Sequence, residues 1–178
     1  MVTIISGTNR KYSNTFKIAS EYQLILHEKG IDAGILSLED LDLLHYNSFF
    51  EIIENEIIIP TTHFIIVSPE YNGSFPGVLK LLFDNSHTHD IWFHKKALLT
   101  GVASGRAGNL RGMDHLADVL NYLKITVHPN KLPISAVNNL MGSNGKIMDE
   151  NTLNAIHQQL DEFILWADLT PKPRTLKH

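Results

Sequence analysis

The run His63-Phe64-Ile65-Ile66-Val67 is apolar without alternation. A strand with one wet face alternates apolar and polar residues. An unbroken apolar run of this length therefore reads as a strand covered on both faces, in the middle of a parallel sheet. Parallel neighbours need crossover connections, and the chain supplies them. Strands are expected at 2–6, 31–38, 63–67, 97–102 and 124–128, and helices at 14–29, 49–59, 77–84, 112–123 and 150–168. Ser13 or Asn14 caps the first helix, Gly30 ends it, and Pro60 stops the second. Strands separated by helical crossovers define an α/β fold, a doubly wound five-stranded parallel sheet in the order 2-1-3-4-5. Residues 1–168 are expected to form a single domain, and 169–178, with Pro171 and Pro173, a loose C-terminal tail.

In such sheets ligands bind beyond the carboxyl ends of the strands, and three polar loops sit there. The first, Ser6–Asn14, runs from a strand into a helix N-terminus, where unpaired amides and the helix dipole attract a phosphate. Ser6, Thr8, Arg10, Ser13 and Asn14 add side-chain donors, so the loop reads as a site for a phosphate monoester. It lacks both the P-loop lysine and the G-x-G-x-x-G fingerprint, which removes support for ATP hydrolysis and Rossmann-type NAD binding. The second loop is Ser68-Pro69-Glu70-Tyr71-Asn72-Gly73-Ser74-Phe75-Pro76-Gly77. Its prolines and glycines fix an unusual path that can approach a flat ligand, with Tyr71 as an aromatic surface and Asn72 as a two-sided amide. The third, Ser104-Gly105-Arg106-Ala107-Gly108-Asn109, can aim amides at an electron-rich edge. The plainer alternatives are a helix cap, a rigid turn with Tyr71 in the core, and an ordinary strand-to-helix turn.

Composition excludes several classes. A formal charge of −4 and the absence of a basic block argue against nucleic-acid and anionic-membrane surfaces. No apolar run reaches the ~18 residues of a membrane span, and no signal peptide is read, so a cytoplasmic protein is expected. There are no cysteines, which leaves any redox role to a bound cofactor. Ten histidines invite a metal hypothesis, above all at His87-Thr88-His89 with His94, but no H-E-x-x-H accompanies them and no metal is expected. No G-x-S-x-G elbow is present.

Three stretches carry a resemblance to the NADPH-dependent FMN reductase family, flavodoxin-like proteins that include quinone and azo-dye reductases. They are Gly7-Thr8-Asn9-Arg10 with Ser13-Asn14; Pro69-Glu70-Tyr71-Asn72-Gly73-Ser74-Phe75-Pro76-Gly77-Val78-Leu79-Lys80; and Ser104-Gly105-Arg106-Ala107-Gly108 with Leu110-Arg111. The resemblance implies a flavodoxin-like fold and non-covalent FMN. The phosphate would lie on Ser6, Thr8, Arg10, Ser13 and Asn14, the ring against Pro69, Glu70, Tyr71, Asn72 and Gly73, and the pyrimidine end near Ser104, Gly105 and Arg106. The implied activity takes a hydride from NADPH or NADH at the flavin N5 and passes electrons, by a ping-pong scheme, to a small acceptor such as free flavin, a quinone or an azo compound. No catalytic side chain is required, because the flavin carries the chemistry. A homodimer or homotetramer is implied as well. Two alternatives are a flavodoxin-type carrier without efficient NAD(P)H oxidation and a flavin-free binding or regulatory relative. Asn109, where many relatives have glycine, and Leu81, where Asn is frequent, depart from the pattern. The variable segments 41–50 and 87–94 are expected to contribute to the substrate pocket.

Overall fold

A computed structural model describes residues 1–171. The expected tail thus lies mostly outside the described residues. The strands are β1 (Val2–Ser6), β2 (Ala33–Ser37), β3 (His63–Pro69), β4 (Lys96–Val102), β5 (Thr126–Val127) and β6 (Leu132–Ile134). The helices are α1 (Asn14–Glu28), α2 (Ser48–Ile53), α3 (Gly77–Asp84), α4 (Leu110–Tyr122) and α5 (Glu150–Ala167). The sheet runs β2-β1-β3-β4-β5 with every pair parallel, as the sequence predicts.

The edge beyond β4 differs from expectation. In place of one fifth strand at 124–128, two short strands share that edge, β5 against Lys96–Ala97 and β6 against Thr100–Val102. The break between them contains Pro129, and Pro133 lies inside β6. Proline removes a ladder donor, so it hides a strand from a sequence reading, yet an edge strand tolerates it.

Side chains alternate between two cores, as strand geometry requires. Ile5, Phe64, Ile66, Ala97 and Leu99 pack under α2, α3 and α4 with Trp92 at the centre, its indole N–H donating to Ser86 Oγ at 3.0 Å. On the other face Ile4, Ile65, Val67 and Leu98 meet Ile18, Tyr22 and Ile25 of α1 and Ile156, Leu160 and Phe163 of α5. Ser13 Oγ accepts the Phe16 amide at 3.1 Å to start α1. Gly30, at φ 78°, closes it with Gly30 N to His27 O and Ile31 N to Leu26 O, a Schellman stop.

The helix expected at 49–59 changes character midway. After α2 the backbone widens into a π turn over Glu54–Ile58, with Ile59 N donating to Glu54 O at 2.8 Å. The buried Lys95 ammonium then satisfies the loose carbonyls of Ile58 (2.6 Å), Ile59 (3.1 Å) and Thr61 (2.5 Å). An ammonium supplies three donors, so one side chain satisfies three carbonyls here, while Thr61 donates to that of Ile57.

A polar network crosses the α1/α5 core. Tyr22 donates to Gln159 Oε1 at 2.5 Å, Thr100 donates to the Tyr22 oxygen at 2.7 Å, and the Gln159 amide donates to the carbonyls of Leu99 and Asn130. All three side chains are fully buried, so Gln159→Leu strands groups that water cannot reach. The expected cost is about 2–3 kcal/mol, read as a lower urea midpoint at unchanged slope; a loss below roughly 0.5 kcal/mol would contradict the network's role.

Buried His128 rests edge-on against Phe163 and Trp166, and its Nδ1 accepts the Asn130 amide at 3.3 Å. Burial pushes its pKa below the ordinary 6.5, against a weaker opposite pull from Glu162. The folded state therefore favours the neutral ring. Its stabilisation is complete above 6.5 and is lost as pH falls through the lowered folded value. Urea titrations from pH 8 to pH 5 should lose stability on the acid side, and His128→Asn should flatten that limb.

Candidate active site

The site forms where strand ends meet loops. β1 stops at Ser6, and Gly7 N donates to Val67 O at 2.9 Å, which ties the first loop to β3. A Cβ on Gly7 would stand 3.0 Å from both Leu79 Cδ2 and Val67 O, so only glycine fits without displacing a neighbour. Thr8 is buried behind the loop. Its hydroxyl lies 2.6 Å from the Tyr71 hydroxyl and accepts the Arg10 amide at 3.3 Å. The Arg10 guanidinium sits over the Tyr71 ring, 4.2 Å from its centroid.

In the first turn of α1, Ser13 takes the Phe16 amide and its carbonyl takes that of Lys17. The amides of Asn14 and Thr15 find no acceptor among the described residues. They point out of the helix start, where anions bind. The Asn14 side chain is already engaged, donating to Asn138 Oδ1 at 2.8 Å and accepting from Lys17 Nζ at 3.4 Å.

The second loop is a miniature hairpin. Tyr71 N donates to Ser74 O at 2.8 Å and Ser74 N to Tyr71 O at 3.1 Å. Asn72 (φ 52°) and Gly73 (φ 77°) make the turn between them, both left-handed as a type I′ turn demands. Glu70 N anchors the loop to Val102 O at 3.0 Å. At the turn's tip the Arg111 side chain packs so closely that a Cβ on Gly73 would lie 3.0 Å from its Nη1.

The third loop is oriented by the chain after β6. Its carbonyls are occupied: Ala103 O by Val137 N, Gly105 O by Ala136 N and Arg106 O by Ser135 Oγ. The amides of Ser104, Gly105 and Arg106 are left without acceptors among the described residues, which is the polarity of an anion nest. Asn109 fastens this loop to the second. It is fully buried at φ 65°, and its amide donates to Ser68 O at 2.9 Å and Pro69 O at 3.1 Å. The departure from glycine thus keeps the left-handed backbone and adds a staple.

A cavity of about 240 Å³ lies among these loops. Of the residues singled out in the sequence, Arg10, Ser13, Asn14, Pro69, Glu70, Tyr71 and Ser104 line it. Thr8 stands behind Tyr71, Ser6 is enclosed beneath with a hydroxyl that has no partner among the described residues, and Asn72, Gly73, Gly105 and Arg106 do not line the cavity. Lys11, Thr15, Val102, Ala103 and Val137 complete the lining and were not singled out. The ends of β4 could have been named from topology alone; Val137 follows a strand that proline conceals. Segments 41–50 and 87–94 do not line this cavity but lie near each other: the Asn85 amide donates to Leu43 O and Leu44 O, and the Tyr46 and His87 rings lie 5.5 Å apart. A larger cleft of about 660 Å³ opens at the amino ends of β1 and β2, where no strand-end loops converge.

Over residues 1–139 the sequence matches the family described as NADPH-dependent FMN reductase. The chain belongs to this family. It is 34% identical over 108 residues to an NAD(P)H-dependent FMN reductase of Pseudomonas aeruginosa, covering 58% of this chain and 57% of that protein. It is 30% identical over 107 residues to a 2-hydroxy-1,4-benzoquinone reductase of Burkholderia sp, covering 58% of each. The chain thus aligns with just under three fifths of the length of these curated relatives. The fold is shared with FerB, a flavoenzyme NAD(P)H:(acceptor) oxidoreductase from Paracoccus denitrificans (TM-score 0.78, 23% identity, 94% of this chain and 96% of that one). A flavodoxin from Pseudomonas aeruginosa also matches (TM-score 0.59, 17% identity, 90% and 98%). The flavodoxin-like fold expected from the sequence is the one this FMN reductase family member adopts.

Asn109 offers a direct test of how the loops are held. Asn109→Gly keeps the backbone but loses the staple, whereas Asn109→Ala loses both. Alanine should cost about 1 kcal/mol more than glycine in chemical denaturation; equal losses would mean that backbone strain plays no part.

Proposed function

We propose that this family member is an FMN-dependent NAD(P)H oxidoreductase that passes electrons to a small acceptor, such as free flavin, a quinone or an azo compound. The observation that supports the reading is a set of donors with no acceptor among the described residues, in two of the loops around the cavity. The Asn14 and Thr15 amides, with the Ser13 hydroxyl proton and Arg10, belong to the first loop and the α1 start; the amide of Ser104, which lines the cavity, and those of Gly105 and Arg106, which follow it in the chain, belong to the third. The donor set fits FMN, which carries a phosphate monoester on one end and an electron-rich pyrimidine edge on the other.

In this reading Ser6, Thr8, Arg10, Ser13 and Asn14 form the phosphate end, with Ser6 supporting the loop from beneath. Pro69, Glu70, Tyr71, Asn72 and Gly73 flank the ring, and Ser104, Gly105 and Arg106 face its pyrimidine edge. Bound there, FMN would supply the hydride-accepting and electron-donating chemistry between NAD(P)H and the acceptor, while the protein's residues bind and orient it. Donors fixed before the reaction stabilise negative charge without having to reorganise. The third-loop amides are of this kind, because their carbonyl ends are tied down by 135–137. No general acid or base is needed. The cavity of about 240 Å³ is smaller than the ~300–1,000 Å³ of ordinary ligand pockets, so part of a flavin would stay open to donor and acceptor in turn.

Two further points belong to the same proposal. A homodimer or homotetramer is supported by exposed apolar side chains at Leu44, Phe49 and Ile52. Residues 1–168 act as a single cytoplasmic unit.

Titration with FMN, followed between 350 and 500 nm and by fluorescence quenching, should show stoichiometric binding. Arg10→Ala with Ser13→Ala should weaken it by roughly 100-fold, the sum of two charge-assisted contacts. NADPH or NADH should bleach the bound flavin within a second, and double-reciprocal plots should be parallel. Bound flavin that stays oxidised would make the protein a carrier; no binding would end the reading.

A further inference from the structure

We infer that Tyr71 is a positioning residue through which the site recognises a phosphate monoester, distinguishing FMN from the same flavin without its phosphate. The inference rests on the FMN reading above and deepens it.

Tyr71 joins features that the chain separates by some 60 residues. Its backbone closes the Asn72–Gly73 turn, its hydroxyl lies 2.6 Å from Thr8 Oγ1, and its ring carries the Arg10 guanidinium at 4.2 Å. The Thr8 oxygen also accepts the Arg10 amide at 3.3 Å. A buried threonine has one proton to give. If Thr8 donates to Tyr71, that proton is consumed inside the protein. If Tyr71 donates to Thr8, the Thr8 proton is released to point at an acceptor beyond it. Thr8 is buried behind Tyr71 and does not line the cavity, so an anion at the α1 start acts on it through its field, favouring the arrangement in which the Thr8 proton is turned away from Tyr71 and toward the charge.

Arg10 is prepared in the same way. A guanidinium lying on an aromatic face uses its flat side and keeps its N–H edge for a bidentate phosphate contact. Held there before the ligand arrives, the side chain loses less freedom on binding. Both effects act on the phosphate and neither acts on the ring.

The test compares dissociation constants for FMN and riboflavin, by fluorescence quenching, in the wild type, Tyr71→Phe, Thr8→Val and the double variant. Tyr71→Phe keeps the ring under Arg10 and removes only the hydroxyl; it should weaken FMN roughly fivefold to tenfold and riboflavin less than twofold. The double variant should lose no more than Thr8→Val alone, because the two hydroxyls act as one unit. Thr8→Ser, which retains the hydroxyl, should restore the wild-type ratio of FMN to riboflavin affinity. Equal weakening of both flavins, or additive losses in the double variant, would overturn the inference.

Inorganic phosphate, titrated by calorimetry, separates this outcome from failure of the FMN reading. Phosphate bound by the wild type and weakened by Tyr71→Phe keeps the inference even if neither flavin binds. Phosphate bound equally by both proteins, or by neither, overturns it.

Discussion

Parallel register across the middle of the sheet is the constraint on which the site depends. Ser6 stands opposite Val67, Val67 opposite Thr100, and Thr100 opposite Leu132. Strands aligned in this way end close to a common level, and every connection leaving that level must turn back over a face of the sheet. Loops from β1, β3, β4 and β6 are thus forced into one neighbourhood before any side chain contributes. Two apolar cores cover both faces of these strands and hold them inside the sheet.

Convergence alone would let the loops collapse on each other, filling the space a ligand needs. Several costly local features prevent that. Asn72, Gly73, Gly108, Asn109 and Ala136 all hold positive φ around the site. For Ala136 this has no glycine or Asn/Asp justification, and such a backbone costs about 1–2 kcal/mol. What it provides is specific: Ala136 N reaches Gly105 O, and the next amide reaches Ala103 O, which turns the third loop's amides outward. Close approach is used in the same way. A Cβ on Gly101 would lie 2.1 Å from Gly108 O, and one on Gly108 2.6 Å from Pro133 Cβ, so the loop after β4 is pressed against its neighbours and held open elsewhere. Strain of this kind persists only where the surroundings over-determine it.

The fold was legible in the sequence wherever hydrophobic period and length spoke together. The central strands, α1, α3 and α5 fall within a residue or two of their expected bounds, because each is a long or fully apolar segment with its stop signal present. Legibility failed where a local rule was overridden by tertiary context. Pro133 argues against a strand, yet it pairs with Gly101 because the edge leaves no donor unmet. A helix over 49–59 is expected despite its isoleucines, whose branched side chains disfavour one; the backbone instead widens into a π turn over Glu54–Ile58, and Lys95, distant in sequence, binds carbonyls at its end. At the site, residue type picked out which loops converge, since hydroxyls, amides and glycines cluster after strands. It could not say which donors remain free. Ser13 spends its oxygen on a helix cap and Asn14 its side-chain amide on Asn138, while the backbone amides of Asn14 and Thr15 have no acceptor among the described residues.

Backbone amides and side-chain donors differ in what it takes to order them. Side-chain donors rotate, and each must be ordered when a ligand binds; amides of a capped helix and of a tied loop are ordered by folding itself. The protein holds fixed amides in the first and third loops and rests the longer Arg10 side chain against an aromatic face. Donors held in this way shape an electrostatic field that is present before any ligand arrives. The site also needs the second loop to stay in register with the first. The Thr8–Tyr71 and Arg10–Tyr71 contacts join those two loops through side chains, so a shift of the second loop must break or carry with it two contacts to the first.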